Sequence, residues 1–308
     1  MNGAIPSSGG YDGIPASDGY DDVNVFLRFL QHLGWDDLLN VGYFTWPTLP
    51  AAINGGAPFQ RALVRRSLAL LRAEPGHLVL DAGCGRGHTT ARLADAGCRV
   101  VGVDVSARQI AWARDRFGRR PRVAFEVADV TALPTTAGRT DLADQSFDRV
   151  HCLEAAFHFG PEGRAAFLAE SHRLLRPGGR LVLVDFTWPT RATPQIDRLD
   201  PHGLVRRSWR FQDFENLDGY LRKATATGFR IAAVHDWTRP VVRRSARLIG
   251  TIGTVAATRA GRRALCTRWA GLREFTTADW NALLPVVAAH AAAGREMGYS
   301  ALVLDRPR

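Results

Sequence analysis

The residues best placed to do chemistry are Asp81-Ala82-Gly83-Cys84-Gly85-Arg86-Gly87, which follow an apolar run and precede a helix-patterned stretch. Glycines there let the chain bend sharply and let a ligand approach the backbone to van der Waals distance. The third glycine comes two residues after the second, and the position that a GxGxxG dinucleotide fingerprint would fill is His88. The bend also carries its own carboxylate, Asp81, which would repel a pyrophosphate and attract an ammonium group. It therefore suits a zwitterionic amino-acid ligand better than a phosphate chain. Asp104 comes 21 residues after Gly83, at the end of the next apolar run. An acid there is placed to accept hydrogen bonds from both hydroxyls of a ribose. Asp129 ends a third run, where a carboxylate can accept from an adenine amino group. Each acid alone reads as a solvated loop residue. In this order, each at the carboxyl end of a strand, the three describe a nucleoside with an amino-acid tail.

The elements that must position these residues alternate. Strands are expected at HLVLDAG, RVVGVDV, RVAFEVADV, DRVHCLE and RLVLVDF, with helices over Thr89–Ala96, Ala107–Phe117 and Arg164–Leu175, the last stopped by Pro177-Gly178-Gly179. Such alternation implies right-handed βαβ units and a parallel sheet covered on both faces. Beyond Phe186 the rhythm breaks into an irregular stretch rich in Trp, Pro and Arg, then resumes with a helix over Leu217–Thr227 and a strand FRIAAVHDW. Helices over Val241–Arg263 and Ala278–Ala292 and a closing strand SALVLDR follow. Ahead of the sheet, helical spacing runs from Val25 to Leu33 and from Phe59 to Leu71. The expected organisation is a flexible segment or lid over 1–22, a helical cap over 23–74, and an α/β domain over 75–308 with a capping insert near 187–215.

In VLDAGCGRG, GVDVS, ADV and RLLRPGGRLVLVDF, taken in order, the chain resembles the Rossmann-like (class I) S-adenosylmethionine-dependent methyltransferases over roughly 59–186. The resemblance implies an α/β, doubly wound, mostly parallel seven-stranded sheet with an antiparallel last strand, flanked by N-terminal and C-terminal helical caps. It also implies S-adenosyl-L-methionine (SAM) as donor and S-adenosyl-L-homocysteine (SAH) as its product. By motif position Gly83, Gly85 and Gly87 face the donor, Asp104 the ribose, and Asp129 with Val130 the adenine. Asp81, Cys84, Val105, Gln109 and Leu153 join the same set, with no metal.

On the acceptor side, Cys152-Leu153-Glu154-Ala155-Ala156-Phe157-His158-Phe159 departs from the NPPY or DPPY pattern of nucleic-acid amino methylation, and its E-A-x-x-H order resembles sterol C-methyltransferases. LLNVGYF resembles the HxGYW-type segment of small-molecule methyltransferases, which implies that Tyr43 reaches the donor. The Gly228-Phe229 and Asp236-Trp237-Thr238 run resembles tocopherol-type enzymes. Glu154 and His158, four apart, would share a face of a helix, where either could take the acceptor's proton. The alternatives are that Glu154 anchors the donor's amino group and that His158 is a satisfied core residue. Tyr20, Trp46, Phe157, Phe159, Trp188 and Trp209 are expected to line an apolar pocket, in a region also dense in Phe44, Phe211 and Phe214. The acceptor expected is a small, largely apolar specialised metabolite of terpenoid, indole or polyketide-like type. A slight lean goes to carbon over oxygen or nitrogen, because ring faces stabilise a cation.

Composition sets the rivals. The 308 residues carry a formal charge of +10, and all but one of the 40 basic residues are arginine, Lys223 being the exception. Such uniformity reads as codon bias on solvated faces. An RNA methyltransferase, with no appended RNA-binding module to support it, and a non-catalytic SAM-binding protein are the lesser readings. No nucleic-acid or membrane partner is expected, and a homo-oligomer is compatible. Cys84, Cys98, Cys152 and Cys266 form no CxxC pair, and the opening residues lack a signal-peptide pattern, so a reducing cytoplasm is expected.

Overall fold

Each apolar run becomes a strand because its side chains alternate between two helix-covered faces. The computed structural model describes residues 24–35, 38–45, 55–133, 142–188 and 196–308. The strands are β1 (Leu78–Ala82), β2 (Arg99–Asp104), β3 (Val123–Val127), β4 (Phe147–Leu153), β5 (Leu175–Trp188), a two-residue β6 (Glu215–Asn216), β7 (Arg230–Asp236) and β8 (Gly298–Asp305). They are ordered β3-β2-β1-β4-β5-β8-β7, with β6 pairing only with the end of β5. Strands β1 to β5 run parallel, and β8 is antiparallel to both its neighbours. The seven-stranded sheet and its antiparallel final strand are as the family resemblance implies.

In β1, Leu78, Leu80 and Ala82 face one core and Val79 the other. The first core is closed by Phe167 and Leu168 of a helix over Gly160–Leu174 and by Tyr220 and Ala224 of one over Leu217–Thr227. The second is closed by Leu63 and Leu71 of the helix over Ala57–Leu71 and by Leu93 of the helix over His88–Asp95. The chain steps from β1 outward to β3, then returns to place β4 on the other side of β1. That reversal opens a crevice at the carboxyl ends of β1 and β4, where ligands of open α/β sheets bind.

A separate helical cluster packs Phe26, Phe29 and Leu30 of α1 (Val25–His32) against Trp280, Leu283 and Val287 of a helix over Thr277–Ala293. Asn24 starts α1 by accepting the amide hydrogens of Phe26 and Leu27. Thr276 and Asp279 form a reciprocal capping box for the later helix.

Three local expectations are corrected. Pro177-Gly178-Gly179 does not separate helix from strand. It lies within β5, where the pairing with β4 shifts register between Phe147 and Arg149. β3 stops at Val127, so Ala128–Val130 lie past the strand. Val241–Arg263 is not one helix: a wide turn over Arg239–Arg243 leads into a helix ending at Ala256, and Thr258 caps a new helix over Arg259–Arg268 by accepting from the Gly261 amide at 3.0 Å. The expected lid, with Tyr20, and Trp46 lie outside the described residues.

Candidate active site

The glycine bend is built by its backbone. Gly83, Gly85 and Gly87 have φ of +69°, +50° and +77°, a region that disfavours any side chain. Gly83 and Cys84 both donate their amides to the Val103 carbonyl, at 2.8 and 3.0 Å. Asp104 then ties the bend to β2: one carboxylate oxygen accepts the Gly85 amide and the other the Ser106 amide, each at 2.9 Å. Burial raises the Asp104 pKa, and those two amides oppose the rise.

Around the bend lies a cleft of about 300 Å³. Asp81, Gly83, Cys84, Gly85, Asp104, Val105, Gln109, Asp129, Val130 and Leu153 all border it; Gly87 is held back, packed on Phe125 and Ala113. Val105 is half exposed and Val130 buried, which offers apolar surface near Asp129. Asp129 spends one oxygen on the Thr131 amide and hydroxyl. The buried Gln109 side-chain oxygen finds no partner among the described residues. Such an orphan acceptor beside carboxylates and a glycine cradle fits a ligand rich in hydroxyl and amino donors, as a nucleoside amino acid is. Sequence reasoning missed Leu38, Leu39 and Asn40, which form the opposite wall.

Asp81 is buried, and both its oxygens are taken from behind. His151 on β4, its register partner, donates Nδ1–H to one at 3.1 Å, and the Thr90 hydroxyl donates to the other at 2.6 Å. The second nitrogen of His151 meets the Ser67 hydroxyl at 3.0 Å. Asp81 thus borders the cleft as part of a locked network.

A second, apolar cavity shares the lining residue Asn40 with the cleft. Phe157, Phe186, Phe211 and Phe214 form an aromatic wall, with Phe157 edge-on to the other three. Phe26, Phe29 and Trp209 form part of the opposite side. Its polar groups are occupied: His290 donates to the Val286 carbonyl and accepts from the Trp209 indole, both at 2.8 Å, while Asn40 accepts the Gly42 amide.

Glu154 and His158 both border the donor cleft but share no helix face. Glu154 follows β4 with a left-handed φ of +51°, and His158 closes a short 3₁₀ turn over Ala156–His158. The chain kinks between them because the Glu154 amide is bonded to Val184 while Ala155 packs on Gly83. The Glu154 carboxylate accepts the Tyr299 hydroxyl at 2.6 Å and the Val41 amide at 3.1 Å. His158 donates Nδ1–H to the Arg210 carbonyl at 3.2 Å, which leaves Nε2 as an acceptor.

Three other sequence assignments change. Tyr43 borders neither cavity; its ring is held edge-on to Trp237 under the Arg66 guanidinium. Trp188 also borders neither: it packs on Phe214 and donates its indole N–H to Asp213 at 2.7 Å. Phe159 borders the donor cleft rather than the apolar cavity. Among the described residues no group of His, Cys, Asp or Glu could hold a metal ion, and no helix is long and apolar enough to cross a membrane.

Burial raises Glu154 to about 8 and Asp185, which accepts the Tyr220 hydroxyl, to about 7. It lowers His158 and His290 to about 4. The raised carboxyls make the native state hold protons the unfolded chain has released, so their contribution falls as pH rises through 7 to 8. The lowered histidines subtract stability only as pH falls below 6.5. The two effects oppose each other at acid pH, and above 6.5 the carboxyls act alone. The ligand-free protein should therefore lose unfolding temperature between pH 6.5 and 8.5; scanning calorimetry showing a rise would contradict this assignment of protons.

A family model described as a methyltransferase domain matches residues 79–179. The chain is 34% identical over 65% of its length to Methyltransferase GfsG of Streptomyces halstedii, covering 70% of that protein. It is 31% identical over 70% of its length to the 27-O-demethylrifamycin SV methyltransferase of Amycolatopsis mediterranei, covering 76% of it. The fold is shared with the cyclopropane synthase MmaA2 of Mycobacterium tuberculosis, at a TM-score of 0.71, 19% identity, and coverage of 94% of this chain and 96% of that one. With the bend, the acids and the sheet order all in place, the chain belongs to the S-adenosylmethionine-dependent methyltransferases of Rossmann-like fold.

Proposed function

We propose that the enzyme methylates a small, largely apolar specialised metabolite of terpenoid, indole or polyketide-like type, held in the second cavity. The observation that carries this is the wall of four phenylalanines in a cavity that shares Asn40 with the cleft, with the cavity's polar side chains, Asn40, Trp209, Ser245 and His290, all bonded within the protein. The cofactor, when bound, supplies a methyl group on a positively charged sulfur. Gly83, Gly85, Asp104, Gln109, Asp129 and Val130 would hold it, and Asn40 borders both cavities. Keeping acceptor and methyl aligned and dry can contribute about 7–11 kcal/mol of the barrier lowering.

Attack by an alkene or ring carbon is the first reading. It leaves a cation on the acceptor, which ring faces such as those of Phe157 and Phe186 stabilise by about 0.5–2 kcal/mol each. One observation favours a second reading, transfer to oxygen: the Arg210 carbonyl fixes the His158 tautomer, so Nε2 is free to accept a hydroxyl proton. The relative that acts on 27-O-demethylrifamycin SV is of that kind by name. A screen with methyl-labelled SAM against apolar metabolites, reading product mass and the labelled atom by NMR, tests both. For an oxygen acceptor, His158→Ala should lower kcat by about 100-fold or more. For rate-limiting carbon attack it should change kcat by only a few-fold. Products confined to charged, polar acceptors would end the proposal.

A further inference from the structure

Among the described residues, Glu154 is a carboxylate with no cation paired to it. Its partners are a phenol, Tyr299 on β8, and an amide, that of Val41 in the segment ahead of the Ala57–Leu71 helix. The nearby charge on β5, Asp185, has the same sign. Neutral His158 follows it, Asn40 borders the same cleft, and Asp81 and Asp104 face the space from β1 and β2. Arg86, the arginine bordering the cleft, is stacked over Trp112. A partly buried carboxylate with a like charge nearby is costly to ionise unless a positive charge comes to it. The ligand of this cleft brings one, and brings it in only one of its two forms: the donor is a sulfonium, the spent cofactor a neutral thioether.

We propose that Glu154 distinguishes the charged donor from the spent cofactor by exchanging a proton: it releases its proton to solvent as the sulfonium charge enters the cleft and takes one back once the sulfur is neutral. The protons balance over a cycle. Donor binding sends one proton from Glu154 to solvent. Methyl transfer breaks the sulfur–methyl bond, forms the acceptor–methyl bond and frees one proton from the acceptor. That proton, passed directly or through solvent, leaves Glu154 protonated beside SAH, and the attraction that favoured the donor is gone. Glu154 thereby sets the preference of the site for substrate cofactor over product. This rests on the cofactor alone and holds for a carbon or an oxygen acceptor.

Titration calorimetry of the whole protein at pH 7, in two buffers of different ionisation enthalpy, reads the exchange directly. With Glu154 near 8 in the free protein, SAM should release about 0.9 proton and SAH close to none. Sinefungin, which places an ammonium where the sulfonium sits, should behave like SAM. Affinity for SAM should tighten roughly tenfold per pH unit between 6 and 7.5, while that for SAH stays flat. In Glu154→Gln the release should vanish, and the ratio of SAM to SAH affinity should lose its pH dependence. Equal release by SAM and SAH would mean that Glu154 answers the amino group common to both, and release by neither would mean that it stays in one state; either result overturns the proposal. The wild-type measurements stand even if the variant fails to fold.

Discussion

Gly83→Val should abolish methyl transfer and weaken SAH binding by at least about 100-fold, or about 2.7 kcal/mol. Two features act together. At φ +69° a β-branched residue carries about 1–3 kcal/mol of backbone strain. Its Cβ would also stand 2.4 Å from the Ala155 Cβ, a distance no packing tolerates. Relief must come from moving the bend away from the residues after β4, which pulls the Gly83 and Cys84 amides off the Val103 carbonyl and disturbs the Asp104 anchor. Gly85→Ala is the informative control. Its φ is also positive, but the nearest neighbour of a new Cβ is the Leu39 side chain at 3.4 Å, so a smaller loss is expected. Calorimetry with SAH and thermal unfolding on both variants separate a binding defect from a folding one. Wild-type affinity in Gly83→Val would show that the cofactor is carried elsewhere.

The second large effect falls on stability. Asp81→Ala strips the partner from His151 and Thr90, all three of them buried. Breaking such a buried pair from one side costs about 3–5 kcal/mol, and at about 2–4 °C per kcal/mol for a domain of this order the unfolding temperature should fall by about 10 °C. The double variant Asp81→Leu/His151→Leu should be less destabilised than Asp81→Ala, because no unpaired polar group is left in the core. A double variant that falls as far as the sum of its singles would show that the pair does not act as one unit.

The cleft around the glycine bend was legible because its residues are local. Seven consecutive residues, an acid at the end of β2 and one just past β3 border or flank it, and β1 to β3 position them by simple alternation. What could not be read is what arises from register and from turns. His151 sits beside Asp81 because β4 returns to pair with β1, and nothing near residue 151 signals a neighbour 70 positions away. Glu154 and His158 share a helix face only if the chain continues as a helix, and the left-handed turn at Glu154 prevents that. Tyr43 and Trp188 show the weakness of counting aromatics: one ring serves an arginine and a tryptophan, the other an aspartate. Phe186 and Phe214 were less conspicuous in sequence, yet they stand where the cavity forms.

The apolar cavity is lined in part by phenylalanines at and beyond the ends of β4 and β5 and in part by a helical cluster with its own separate core. Evolution can therefore reshape that helical wall, enlarging a void here and filling one there, while the nucleotide-holding half keeps its fold and its affinity. Descendants of one ancestor could acquire new acceptors by drift in Phe26, Phe29 and their neighbours without ever passing through a form unable to hold its methyl donor.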